Sequence, residues 1–406
     1  MNKKRHGILF NEQQLGPYPM EKIPRVDKPT TEFYAVPEPR RADLTVETLI
    51  DDPKYGPKVG PGKAEFADKE PVFRAFMDVN MLLSSWEMNP VNPVKSDLPK
   101  DQTVLTRHIK KLCHFCGADL VGICEVTPDA VYTHDDFGNP IECGYKYAIV
   151  FGVRKQRDTI AASYGCEWID DAVSMQAYQR TGCIANTVTS YIRRMGWEAE
   201  PSIVPRYKTL MSKLVLYAGL GEASRLGIMV NPFLGAIAKY GTVLTNLPLD
   251  TDKPIDFGLQ DYCEHCSICA ENCCSNAVPR GDKIDYNGAH TWILKAENCA
   301  IFNRTNPVGK VCERCTKVCP WNHIDNDPKR FADWDGDIKK LHAMANEQAA
   351  FLKEHNYIFP EEADQKWWLP LRYSSEDGAY HNTREFDYKR HERKMAFNEK
   401  YLNKKK

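Results

Sequence analysis

Hydrophobic and polar positions divide this chain into stretches of different character. Up to about residue 100, apolar residues are scattered among prolines, lysines and acids ("EKIPRVDKPTTEFYAVPEPRR", "DDPKYGPKVGPGK"), which predicts a long irregular arm. One segment interrupts it: "PVFRAFMDVNMLLSSW" has the composition and spacing of a helix. From about Gln102 the pattern changes. "TVLTRHIKKLCHFCGADLVGICEV" reads as a helix ending near Gly117 and then a strand. "YKYAIVFGVR" is a continuous apolar run rich in β-formers, as in a buried strand. In "AYQRTGCIANTVTSYIRRMGW", Ile184, Val188, Tyr191, Ile192 and Met195 mark one helical face, and Gly196 supplies the stop. "LVLYAGLGEASRLGIMV" reads as helix or loop and "YGTVLTNLPL" as strand. Such alternation predicts a layered α/β (α+β) core over residues 101–250. A cysteine-rich unit follows over 251–330. Residues 331–406 form a charged, aromatic extension expected to pack on the core ("WWLPLRY", "DYKRHERKMAFNEKYLNKKK").

At 406 residues there is room for a large core and two structural units. A formal net charge of -1 argues against a broad nucleic-acid surface, which needs a strong positive excess. No apolar run reaches the length of a membrane span. The start "MNKKRHGILF" is basic but lacks the apolar core of a signal peptide. A cytoplasmic location is the expectation. The outer face of the cytoplasmic membrane or the periplasm is the alternative if an export signal has been removed.

Cysteine changes the picture most. Nine of the 15 cysteines lie between Cys263 and Cys319. One run is Cys263-x2-Cys266-x2-Cys269-x3-Cys273, and the second is Cys299-x12-Cys312-x2-Cys315-x3-Cys319-Pro320. Short x2 steps point successive thiolates at one cubane, whereas the x3 step turns the fourth away toward the other cluster. The spacing therefore predicts one [4Fe–4S] cluster on Cys263, Cys266, Cys269 and Cys319, and a second on Cys273, Cys299, Cys312 and Cys315. A pair of structural zinc sites is the alternative, which the x2-x2-x3 run and its partner disfavour. Cys274 occupies the place where such runs carry proline and is expected to be a spare, partly buried thiol. Cys113-x2-Cys116 has the spacing of a redox pair, but at a helix end two small core residues are the preferred reading. Two clusters alone make an electron carrier. The roughly 250 residues before them should hold the site those electrons serve.

The stretch "AGLGEASRLGIMVNPFLGAIAKYGTVLTNLPLDTDKPIDFG", with "CERCTKVCPWNH", closely resembles the reductive dehalogenases over about residues 100–325. The amino-terminal "LGPYPMEKIPRVDKPTTEF" resembles them more loosely. This resemblance implies a nitroreductase-like core that binds cobalamin and a ferredoxin-like module that delivers electrons. It also implies a small organohalide as substrate and an electron-donor protein or membrane-anchor subunit as partner. Epoxyqueuosine reductases, which act on tRNA, are a sister family sharing "AGLG" and "CPWN". The short x12 gap, "DKPIDFG" and the position of Tyr178 favour the dehalogenases.

By position in that family, Tyr178 would donate the proton, Lys239 and then Arg206 would be the cations beside it, and Trp292 and Tyr207 would line the substrate pocket. The plain alternatives are a packed tyrosine and a solvated lysine. A phenol is a poor acid–base group at neutral pH unless a cation stabilises its anion. Trp86, Trp367 and Trp368 are weaker wall candidates, each better read as packing. The chain departs from the family at "TNLPL", at Cys274, at Arg206–Tyr207 where an Asn-Asp pair is usual, and at "AIAK". It has no Asp-x-His-x-x-Gly motif, which implies a base-off corrinoid with no histidine on its lower face.

Overall fold

The computed structural model describes residues 4–5, 8–10, 25, 71–135, 139–163, 165, 168–204, 206–286, 289–296, 298–299, 302, 312–322, 324, 338–355, 357, 367–368, 371–373, 377 and 379–382. The arm is less irregular at its start than its composition predicts. Strands β1 (Lys4–Arg5) and β2 (Ile8–Phe10) pair antiparallel, and β2 also pairs with a strand at Ile255–Asp256. Between them and residue 71 only Arg25 is described. Its guanidinium donates to the carbonyls of Val131, Tyr132 and Ile141 at 2.8–3.3 Å.

The helical segment of the arm is α1 (Pro71–Ser84). Its buried Asn80 donates to Met175 O at 3.1 Å, which anchors it on the long central helix. Helix α2 (Gln102–Phe115) follows, opened by the Asp101 side chain, which accepts from Thr103 N. Next come β3 (Leu120–Glu125), β4 (Tyr147–Arg154), α3 (Arg157–Ala162), α4 (Trp168–Arg194), β5 (Ala199–Ser202) and α5 (Met211–Tyr217). Two short strands, β6 (Glu222–Ala223) and β7 (Met229–Val230), precede β8 (Ala238–Thr245).

The main sheet has the order β3-β4-β8-β5, and every pairing is antiparallel. Antiparallel sheets often leave one face wet, but this one is covered on both. Ile149, Phe151 and Val153 of β4 pack with Ile109 of α2 and with Ile184, Val188 and Ile192 of α4. Ala148 and Val150, on the opposite face, pack with Leu214, Val215 and Tyr217 of α5. This double burial is why β4 reads as a continuous apolar run rather than an alternating one. Each fully buried Ile or Val contributes roughly 1.5–3 kcal/mol before entropy is counted.

Helix α4 starts nine residues earlier than the segment read as helical from Ala177 onward, at Trp168. Its first turns carry Asp170, Asp171 and Ser174, all buried, so the apolar stripe is broken there. It ends as expected, with Gly196 at φ +85°.

The cysteine-rich unit contains β9 (Ile255–Asp256), α6 (Leu259–His265), α7 (Ile268–Glu271), a hairpin of β10 (Ile284–Tyr286) and β11 (Ala289–Thr291), and α8 (Arg314–Lys317). The extension contributes α9 (Ile338–Glu354) and a β12–β13 hairpin (Leu371–Tyr373, Tyr380–Asn382). The extension packs in two places. Helix α9 lies on the cysteine-rich unit, with Leu341 and Ala345 against Phe257 and Trp321, whereas Trp368 packs on the core with Ile160, Ile169 and Val173.

Core and cysteine-rich unit meet through main chain. A Cβ built on Gly165 (φ +87°) would stand 2.8 Å from Arg314 Cα, and Gly165 O accepts from Glu313 N at 2.8 Å. A Cβ on Gly235 (φ +62°) would meet Trp321 O at 2.7 Å. Among the described residues no helix is long and apolar enough to cross a membrane.

Candidate active site and cluster-binding module

Tyr178, half-buried on α4, faces Lys239 at the start of β8, opposite Val153 of β4. Lys239 Nζ lies 4.8 Å from the centroid of the Tyr178 ring. Beyond the end of β4 stands Lys155, whose N donates to Ile237 O at 2.9 Å. Its buried ammonium pairs with Glu313, and the other Glu313 oxygen accepts from Ser174 Oγ. Glu313 is the residue after Cys312, so a carboxylate from the second cysteine run reaches into the core site.

One carboxylate here serves two ammoniums. Burial would raise Glu313, but Lys155 and Lys239 hold it below the usual range. Burial pulls Lys155 down and the carboxylate only partly offsets it. Burial also works against a charged Lys239, yet Tyr178, Glu313 and Asp171 outweigh it, so Lys239 is raised and stays cationic. The result is a phenol ring beside a charged ammonium. Lys155, Glu313 and Ser174 were not anticipated. The only sequence signal was an acid between two expected ligands, and its partners lie far away along the chain.

Arg206 is exposed. Tyr207 is half-buried, with its hydroxyl donating to Tyr240 O at 3.4 Å and its ring beside Val131, Tyr132 and Ile141. Trp292 is buried in the cysteine-rich unit, its ring between Arg225 (4.7 Å) and Lys283 (4.6 Å). Trp86 and Trp367 are exposed, and Trp367 Nε1 donates to Thr159 Oγ1 at 3.2 Å.

The sulfur geometry divides into two groups. Cys263, Cys266, Cys269 and Cys319 line one cavity, with Arg225, Leu259, Tyr262 and Trp321. Cys315 has Cys299 and Cys273 as electrostatic neighbours. Cys319, next to the second run in sequence, thus stands with the first run. No three or more described His, Cys, Asp or Glu side chains converge on a single ion. Four thiols ringing a shared volume are a donor set that fits a cubane with an iron behind each sulfur. Burial pushes the Cys263 and Cys315 thiols up to about 12, so metal must replace the proton to make them thiolates. Cys274 is exposed rather than partly buried, which leaves it outside both groups. Cys113 is buried and Cys116 half-buried, and burial raises both thiols, unlike a reactive redox pair.

The described histidines are engaged locally. Among them, His114 bonds Ala118 O, His265 bonds Asp261 O and His342 bonds Phe257 O.

No family model matches the chain. A tetrachloroethene reductive dehalogenase of Sulfurospirillum multivorans is 28% identical over 289 residues, 57% of this chain and 55% of that protein. An epoxyqueuosine reductase of Synechocystis sp. is 31% identical over 138 residues, 32% of this chain and 46% of that protein. Among solved structures, a catabolic reductive dehalogenase, NpRdhA, in complex with 3-bromo-4-hydroxybenzoic acid is similar with a TM-score of 0.75 and 30% identity, over 95% of this chain and 52% of that one. The chain spans about half the length of the first curated relatives it matches.

Proposed function

We propose that this chain, a relative of the reductive dehalogenases in both sequence and structure, replaces the carbon–halogen bond of a small organohalide by carbon–hydrogen. The balance is R–X + 2e⁻ + H⁺ → R–H + X⁻. The observation that carries this reading is the Lys239 ammonium over the Tyr178 ring, with the Glu313 carboxylate of the cysteine-rich unit as an electrostatic neighbour. The complex of the NpRdhA relative with a bromo-hydroxybenzoate supports the substrate class.

The core over residues 101–250 is read as nitroreductase-like and corrinoid-binding, with the ferredoxin-like module at 251–330. Cys263, Cys266, Cys269 and Cys319 would hold one [4Fe–4S] cluster, and Cys273, Cys299, Cys312 and Cys315 the other, for relaying single electrons. Cobalamin, expected base-off, would be held by this core and would supply strongly reducing cobalt for carbon–halogen chemistry. The chain's own groups handle the proton. Tyr178 Oη gives it up, Lys239 stabilises the resulting phenolate, and Glu313 with Lys155 keeps Lys239 in place. The departing halide finds the same ammonium. Arg206 would be the second cation, and Tyr207 and Trp292 would line the substrate pocket. Electrons would come from a donor protein or a membrane-anchor subunit.

The test is anaerobic protein reconstituted with iron, sulfide and cobalamin, given 3-bromo-4-hydroxybenzoic acid and a strong reductant. Bromide release is expected, and Tyr178→Phe should lower it by roughly 10²–10⁴-fold, the usual worth of a general acid, with iron and corrinoid content unchanged. Near-normal release from Tyr178→Phe would make the tyrosine a pocket wall. Loss of an epoxide from modified tRNA with no halide release from any organohalide would point to the sister activity. Metal loading without turnover of either would leave an electron carrier.

A further inference from the structure

Tyr262, the residue before Cys263, is buried to 7% exposure. Its ring is fixed edge-on against Trp321 (centroids 5.3 Å apart) and His342 (5.6 Å). It lines the same cavity as Cys263, Cys266, Cys269 and Cys319. The hydroxyl has no hydrogen-bond partner among the described residues, and the Cys266 sulfur is an electrostatic neighbour of it. A buried hydroxyl left unpaired is destabilising. A phenylalanine would fill the same space without that cost, so the oxygen needs another explanation.

We propose that Tyr262 donates its O–H to the Cys266 sulfur of the first cluster and thereby raises that cluster's reduction potential. The inference rests on the two-cluster reading above. Reduction adds one electron, and negative charge, to a cluster ringed by thiolates. A donor aimed at a ligand sulfur stabilises the more negative, reduced form more than the oxidised one, and hydrogen bonds to the sulfurs are a recognised determinant of cluster potential. Low local dielectric strengthens the effect. The buried Arg225 also borders the cavity, but its guanidinium is tied to the carbonyls of Cys263, Pro279 and Gly281 and is untouched by a change at Tyr262.

The experiment is a redox titration of the reconstituted protein followed by electron paramagnetic resonance, comparing native protein with Tyr262→Phe. A charge-assisted hydrogen bond partly lost on oxidation corresponds to about threefold to tenfold in the reduction equilibrium, or about 30–60 mV at 59 mV per decade for one electron. One of the two reduction steps should fall by that amount while the other stays. If Tyr262→Phe fails to hold iron, 3-fluorotyrosine at position 262 answers instead. That residue keeps the ring and hydroxyl but is a stronger donor, and should raise the same step. Full iron content with both steps unmoved overturns the proposal alone. Protein that takes up no four-iron cluster overturns the two-cluster reading and the proposal with it.

Discussion

The buried pair between Lys155 and Glu313 allows a sharp test of how core and cysteine-rich unit are joined. Glu313→Gln keeps the side-chain volume and an oxygen for Ser174, but removes the charge facing Lys155. The two side chains are only 2% and 7% exposed, so solvent does little to soften the change. An amide N–H₂ turned toward an ammonium would leave a buried positive charge without its partner. Breaking a buried pair from one side costs about 3–5 kcal/mol, whereas replacing both partners by apolar groups is often close to neutral. Glu313→Gln should therefore lose about 3–5 kcal/mol in anaerobic urea unfolding. Adding Lys155→Met should restore most of it, giving a coupling energy of about 2–4 kcal/mol in the double-mutant cycle. Iron content must be measured on all four proteins, since Glu313 lies between two expected ligands. A coupling energy below about 0.5 kcal/mol, with iron content equal, would refute the reasoning.

Lys239→Met should lower halide release by about 10–100-fold, and the loss should not add to that of Tyr178→Phe, because both changes act on one proton transfer. Cys319→Ser should abolish the cluster held by Cys263, Cys266 and Cys269 and spare the one its sequence neighbours hold, while Cys274→Ser leaves iron unchanged; Mössbauer spectra and iron analysis decide both. Burial raises Glu222 to about 8 even though it accepts from Phe257 N at 2.7 Å. Its folded value exceeds its unfolded one, so its contribution to stability is greatest below the unfolded value and is lost as pH rises toward about 8. Glu222→Gln should flatten the unfolding free energy between pH 5 and pH 8, roughly the window over which the native carboxyl ionises, and an unchanged slope there would rule out this assignment.

The elements that bury side chains on one clear period were legible in the sequence. Strand β4, the second half of α4 and the segment that forms α1 all lie where apolar spacing put them. What escaped was structure built from polar residues. The first turns of α4 hide Asp170, Asp171 and Ser174 inside, each engaged by another polar group, so their hydrophobic signal is missing although their burial is not. Strands β1 and β2 hold two and three residues, too short to show any alternation. The cysteine grouping was read from spacing alone, because short x2 steps keep successive thiols in one local loop. Tyr178 and Lys239 carried no such signal. They were found by family position, and their facing arrangement depends on a helix and a strand brought together by the sheet. Glu313 could not be found that way, since its partners Lys155 and Ser174 lie 158 and 139 residues away in the chain.

The main-chain contacts at Gly165 and Gly235 bear on how electrons would travel between the two halves. Tunnelling falls off steeply with distance, so a gap set by long side chains would wander as those residues are exchanged over evolutionary time. At these two contacts the spacing is set by backbone atoms, and ordinary drift in neighbouring side chains leaves it in place. The same closeness makes the two halves a matched pair. A cysteine-rich unit from another source would need to present its own Glu313 N and Trp321 O at the same positions, and a core without glycine at 165 and 235 would hold any such unit at a longer tunnelling distance.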